Sequence, residues 1–261
     1  MNKKTRYFLF FTFLISWIGW GILLVLTRAG LLEFGQPLFM ITFIVAGFGP
    51  TIAPFIAIAV TDGKAGLKNY LNRLLRLKVS FWYYLFPLMS LIFLGLVSAL
   101  VNNNLTQRII NVSQIPPLLI FGIFIQSFLF GGLEELGWRG LLQHELQKKY
   151  QIGLVYLIVW VTWALWHLPL FFIPGVSQYR QNFWVFAIYA LFFSLIFGWV
   201  YGRTKSIPLA ILGHTLVNTL SAVGYLTFLN RGFIRLTTFI IIFIVLLVLH
   251  IALPIKNLFE A

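Results

Sequence analysis

Residues 117–133 read PLLIFGIFIQSFLFGGL, and the next two are Glu134 and Glu135. Seventeen residues pass without a charge before two adjacent carboxylates arrive. A hydrocarbon core about 30 Å thick needs roughly 20 helical residues to cross it, so this stretch reads as most of a transmembrane helix that ends in acid. The same texture recurs outward on both sides, near 7–27, 37–60, 81–101, 152–173, 183–201, 207–229 and 236–255. With 117–133 these make eight expected spans. The expected fold class is therefore all-α, a polytopic membrane helix bundle with about eight transmembrane helices. Residues 1–261 form a single integral membrane domain in this reading, because the segments between spans are too short for a soluble one.

Composition excludes a soluble enzyme. Hydrophobic residues make up 60% of the chain and charged residues 10%, against roughly 25% charged in a typical globular protein. With 28 Phe, 9 Trp and 10 Tyr, there is too little polar side chain to cover the apolar surface. The absence of Cys excludes disulfides, a thiolate nucleophile and Cys-ligated metal. A net charge of +13 would suggest nucleic acid on a soluble protein. In a bundle it points to membrane lipid with anionic headgroups, and no nucleic acid partner is expected.

The basic residues also orient the chain. Lys3, Lys4 and Arg6 precede the first span; Lys64, Lys68, Arg73, Arg76 and Lys78 follow the second. Arg139, Lys148, Lys149, Arg203, Lys205 and Lys256 fall on the same side, whereas Arg28, Arg108, Arg180, Arg231 and Arg235 fall on the other. By the positive-inside rule both termini are cytoplasmic, in a multi-pass protein of the cell membrane. The first span is too long for a signal-peptide core and lacks a small-residue cleavage site, so it reads as retained. Asn104-Leu-Thr106 and Asn111-Val-Ser113 match the glycosylation pattern in an outside loop and carry little weight. Between spans two and three, Leu67, Tyr70, Leu71, Leu74 and Leu75 repeat at helical spacing with Lys68, Arg73, Arg76 and Lys78 mostly opposite. That pattern predicts a cytoplasmic interfacial helix.

Six acidic residues exist in the chain, and ionisable groups at membrane depth are costly enough to be read as functional. Arg139 stands four residues after Glu135, the spacing of a helical ion pair. Glu134 lies about 100° around the helix from Glu135, off that line. It is the candidate general base. His167 sits deep in the fifth span within Trp163-Ala-Leu-Trp-His167-Leu-Pro169, and His214 shares a helix face with Asn218 in the seventh. Counted inward at 1.5 Å per residue, Glu134, His167 and His214 lie roughly 21, 24 and 16 Å from the cytoplasmic helix ends. Three helices can thus present a carboxylate to take a proton from water, an imidazole to orient that water or bind a metal, and donors for an oxyanion. Ser90, Ser127 and Ser194 also lie in spans, but none has the setting of a nucleophile elbow, so direct attack by water is the simpler chemistry.

The motifs Glu134-Glu135-x-x-x-Arg139, Trp163-x-x-x-His167 and His214-x-x-x-Asn218, in this order, resemble those of the CPBP (CAAX protease and bacteriocin-processing, or Abi) intramembrane proteases. The flanking Leu-Gly-Trp-Arg139-Gly and Ser206-Ile-Pro208 are similar too. The resemblance is strong over 130–220, the protease core it implies, and weaker at Gly49-Pro50. Trp163 stands where the motif has Phe, an exchange of one large aromatic for another that is expected to be without consequence. The resemblance implies a membrane endopeptidase open to the cytoplasm, in which Glu134 and His167 activate water and His214 with Asn218 stabilises the oxyanion. Glu135 and Arg139 would hold these groups in place. The substrate would be a peptide or a membrane-protein tail, in a setting such as bacteriocin processing or self-immunity. Members are commonly described as metalloproteases; Glu134, His167 and His214 could hold Zn, and the same residues serve equally in a metal-free, glutamate-dependent site.

Two rival readings use the same residues. A proton-coupled transporter would also bury Glu and His, but it should show two related halves, and all the polar clusters lie in the second half of this chain. A non-catalytic membrane scaffold that regulates a partner would keep its function when Glu134 is replaced by alanine.

Overall fold

A computed structural model describes residues 1–101 and 112–224, and among these the chain is helical with no strand. Eight helices follow in order: α1 (Lys3–Arg28), α2 (Pro37–Gly47), α3 (Gly49–Leu74), α4 (Trp82–Val101), α5 (Pro117–Phe130), α6 (Ile152–Trp166), α7 (Phe183–Thr204) and α8 (Ile207–Ala222). Between α5 and α6 the chain continues as short helical turns of changing pitch from Gly132 to Leu146.

Their ends follow from local chemistry. Asn2 caps α1 by accepting the Thr5 N–H, and Ser206 caps α8 by accepting that of Leu209. Pro37, Pro117 and Pro208 occupy first-turn positions, where no N–H donor is needed. Four segments have the length and apolarity of a membrane span: Lys3–Arg28, Pro117–Leu146, Ile152–Phe172 and Phe183–Thr204. The pair α2–α3, bent by 47°, brings the number to as many as five. This is a multi-pass helical membrane bundle, with fewer full-length spans among the described residues than the eight expected. Helices α4 and α8 form where the third and seventh spans were expected; 225–229, 236–255, Lys256 and the asparagines of both glycosylation patterns lie outside the described residues.

The described chain divides into two compact units. The first comprises Met1–Leu75 and Leu133–Ser194; the second comprises, of the described residues, 76–101, 112–132 and 195–224. In the first unit, α1 packs along α2 and α3 through small residues, as helices in lipid do when close approach is the main source of attraction. A Cβ on Gly49 would strike the Ser16 hydroxyl and the Thr12 carbonyl, and one on Gly137 would strike the Pro50 carbonyl and the Phe8 ring. The Ser16 hydroxyl donates to the Ala46 carbonyl at 2.6 Å. Trp17 Nε1 donates to the Trp166 carbonyl at 3.1 Å, tying α1 to the end of α6.

The expected interfacial segment is the second part of α3, set off by Gly63, whose φ of 64° and ψ of −155° break the helix where a side chain would be strained. Leu71 and Leu75 are exposed as an interfacial face requires. Tyr70 departs from that reading. It is buried, and its hydroxyl donates to the Leu136 carbonyl at 2.7 Å, so this part of α3 is bolted to the turn that follows the acidic pair.

In the second unit α8 packs on α5 and α4. Ser206 Oγ donates to the Arg76 carbonyl at 2.7 Å and fixes the start of α8.

Candidate active site

Helix α5 stops at Gly131, whose φ of −147° and ψ of −59° leave the helical region. A 3₁₀ turn (Gly132–Glu134), an α turn (Glu135–Gly137) and a π-helical stretch (Trp138–Gln143) follow. Single π turns inside helices change which side chains share a face, and they concentrate at functional sites. Here the change of pitch carries four buried groups: Glu134, Glu135, Trp138 and Arg139.

Glu135 and Arg139 form the ion pair that their spacing predicts. Arg139 Nη1 lies 3.0 Å from each Glu135 carboxylate oxygen, and both side chains are 0% exposed. Arg139 Nη2 donates to the carbonyl and hydroxyl of Ser194 on α7, at 3.3 and 3.2 Å. The guanidinium also lies over the Trp163 ring, 5.4 Å from its centroid. Charge-assisted bonds of this number fix a buried charge where a lone ion would be expelled.

Glu134 is held differently. Its Oε2 accepts hydrogen bonds from two indoles, Trp163 Nε1 at 2.9 Å and Trp138 Nε1 at 3.3 Å. Trp138 was read in the sequence as part of the flanking resemblance, and Trp163 as a plain aromatic. Neither was foreseen as a donor. The only signal available was that tryptophan, unlike phenylalanine, carries an N–H that must find an acceptor when buried.

His167 closes α6, one residue after Trp166. Its Nδ1 lies 2.9 Å from the Trp163 carbonyl. A carbonyl can only accept, so Nδ1 carries the proton and, in the neutral ring, Nε2 carries the lone pair. The ring is boxed by Trp166 and Phe186, with centroids at 4.6 and 4.8 Å. The first unit therefore brings together Glu134, Glu135, Arg139 and His167, joined through Trp163.

His214 and Asn218 belong to the second unit, on α8. The His214 ring is buried and stacks on Phe197, centroids 5.4 Å apart at 23°. Asn218 Nδ2 lies where a Cβ on Gly131 would stand, and Thr215 lies likewise against Gly132. The two glycines ahead of the acidic pair are thus the surface on which the polar face of α8 rests.

The acids outside this cluster that have described partners are tied into ordinary ion pairs. Lys4 bridges Asp62 and Glu145, and Lys148 lies 2.7 Å from Glu145. Among the described residues no three His, Asp or Glu side chains gather as a metal site. Catalytic zinc usually has three protein ligands; of the three that the sequence suggests, Glu134 and His167 lie in the first unit and His214 in the second.

Residues 116–220, which contain all three motifs, match the family described as type II CAAX prenyl endopeptidase Rce1-like. The chain is also 28% identical over 199 residues to CAAX prenyl protease 2 of Methanococcus maripaludis, covering 69% of this chain and 71% of that one. Both likenesses are to proteases of the CPBP type. The matched region begins at Pro116, immediately before α5.

Proposed function

We propose that this protein is an intramembrane endopeptidase of the CPBP type that cleaves a peptide bond with water activated by Glu134 and His167. The observation that carries the reading is the shared anchor. Trp163 gives its indole N–H to the Glu134 carboxylate and its carbonyl to the His167 ring, so a base and an imidazole are oriented by one residue. Both indole N–H groups fall on Oε2 of Glu134 and hold the carboxylate in place. Water donates one hydrogen towards the Glu134 carboxylate and the other towards the His167 ring.

As Glu134 takes the first proton, the water oxygen bonds to the scissile carbonyl carbon and the carbonyl electrons move onto oxygen. By the family resemblance, His214 and Asn218 donate to that oxyanion. Collapse breaks the C–N bond, and the proton on Glu134 passes to the leaving amine. The ion pair of Glu135 with Arg139 keeps the neighbouring turn rigid while this happens. Water activated in this way needs no metal, so cleavage is expected to survive chelation. Both termini face the cytoplasm in this proposal, and anionic lipid contacts the basic face.

The names of the matched family and relative make a prenylated tail the first substrate to try. A bacteriocin precursor, or a role in self-immunity, comes second. The test reconstitutes the protein in vesicles with a quenched fluorescent peptide ending in a farnesylated Cys-aliphatic-aliphatic-X tail, with and without EDTA. Wild type should release the tail in both, and Glu134→Gln and His167→Ala should be at least about a hundredfold slower at unchanged thermal midpoint. Equal cleavage by all three proteins would remove these residues from the chemistry, and a Glu134→Ala protein with intact cellular function would favour the scaffold reading.

A further inference from the structure

We propose that Trp163 is a positioning residue for the general base, and that its indole N–H, which a phenylalanine at this place in the motif could not supply, is the part that acts. The inference deepens the protease reading and rests on it.

Trp163 touches three of the polar groups in the first unit. Its Nε1 donates to Glu134 Oε2 at 2.9 Å, its carbonyl stands 2.9 Å from His167 Nδ1, and its ring lies under the Arg139 guanidinium at 5.4 Å. The carbonyl contact is available to any residue on α6, and the ring contact to any aromatic. The indole bond is specific to tryptophan. It spans 29 residues of sequence and joins α6 to the irregular turn after α5. Its length is that of a strong bond, whereas the Trp138 bond at 3.3 Å is long.

The two donors act on one oxygen of a carboxyl group that is 5% exposed. A carboxyl group has two soft degrees of freedom here, rotation about its last carbon–carbon bond and the swing of the stem. Trp138 lies on the same helical segment as Glu134, four residues on, and moves with it. Trp163 comes from another helix and therefore sets where the carboxylate stands relative to His167. Loss of the Nε1 donor would leave the ring in place but remove the bond that ties the carboxylate to α6, and the carboxylate would shift relative to His167. A misplaced base slows the chemical step and leaves peptide binding intact.

The experiment compares wild type, Trp163→Phe and Trp138→Phe in vesicles with the farnesylated peptide above, and records indole N–H bands by ultraviolet resonance Raman spectroscopy. Subtracting the Trp163→Phe spectrum from wild type isolates the Trp163 band; the same subtraction in a Glu134→Ala background asks whether that band depends on the carboxylate. The expected result is a fall in kcat of about tenfold to a hundredfold for Trp163→Phe, the range for a hydrogen bond to a charged group, with KM within about twofold. Trp138→Phe should lose less. The Trp163 band should move to the position of a weakly bonded indole when Glu134 is removed.

If Trp163→Phe retains kcat while wild type cleaves the peptide, the proposal fails and the protease reading stands. If wild type cleaves neither this peptide nor a bacteriocin precursor, the protease reading fails and the positioning role falls with it. A Trp163 band unaffected by Glu134→Ala overturns the hydrogen bond itself, whatever the activity. That last measurement needs folded protein and no catalytic activity, and where Trp163→Phe does not fold, Trp163→Tyr serves as the protein to subtract.

Discussion

Replacing Arg139 with methionine keeps most of the side-chain length and removes the charge. In the folded protein that guanidinium lies 3.0 Å from both Glu135 oxygens, donates to Ser194 at 3.3 and 3.2 Å, and is 0% exposed. The variant therefore strands the Glu135 carboxylate in a dry interior without its cation. Breaking a buried pair in this way costs about 3–5 kcal/mol. For a chain of this size a shift of about 2–4 °C accompanies each kcal/mol, so the unfolding midpoint should fall by roughly 6–20 °C. Replacing both partners, with Glu135→Leu and Arg139→Met together, removes the stranded charge. That double variant should return to within about 2 kcal/mol of wild type, because apolar pairs substitute for buried ion pairs at little net cost. The assay is thermal unfolding of the four proteins in one detergent, followed by loss of the monodisperse peak in size-exclusion chromatography. The double-mutant cycle then isolates the coupling. If Arg139→Met unfolds with the wild-type midpoint, or if the double variant is no better than the single, the two charges do not compensate each other and the account of this turn is wrong.

Gly131→Ala should displace Asn218, whose amide occupies the place of the new Cβ, and both it and Asn218→Ala should slow peptide cleavage, without adding to each other in the double variant; Gly153→Ala, with open space at its Cβ, is the neutral control. Tyr70→Phe leaves the Leu136 carbonyl without its 2.7 Å donor and should destabilise by about 1–3 kcal/mol, read as a lower unfolding midpoint. Lys205, in the turn between α7 and α8, has its pKa brought down from 10.5 to about 8, first by burial and then by the positive charge of Arg76. Because the unfolded chain binds the proton more tightly, stability should be lowest below pH 8 and rise between about pH 8 and 10.5, and Lys205→Met should flatten that rise.

Much of the site was legible before any coordinates. The apolar lengths located helices, and the four-residue spacing of Glu135 and Arg139 predicted a pair that the structure contains. These readings succeed because rise per residue and the helical repeat are properties of the backbone alone. The same arithmetic was weaker where the backbone is irregular. The depth estimate for Glu134 assumed a regular helix from there to the cytoplasmic end, whereas α5 stops at Gly131 and the chain winds through 3₁₀, α and π turns to Leu146. The count of eight spans likewise assumed that every apolar stretch becomes a straight crossing, and α2 and α3 meet at a 47° bend.

By itself, then, the sequence determined the class of solvent, the helices and the short list of polar residues worth reading, since a chain 60% hydrophobic with six acids leaves few alternatives. The tertiary structure decided what each polar residue is bonded to. The exchange of Phe for Trp at position 163 looked neutral when only ring size was considered. It ceased to look so once the indole N–H was found on a carboxylate 29 residues away. Tyr70 looked interfacial by periodicity and turned out to be a buried bolt on the Leu136 carbonyl. Periodicity states which way a side chain leaves its own helix. Which acceptor waits there depends on how helices distant in sequence pack, and that is a property of the fold.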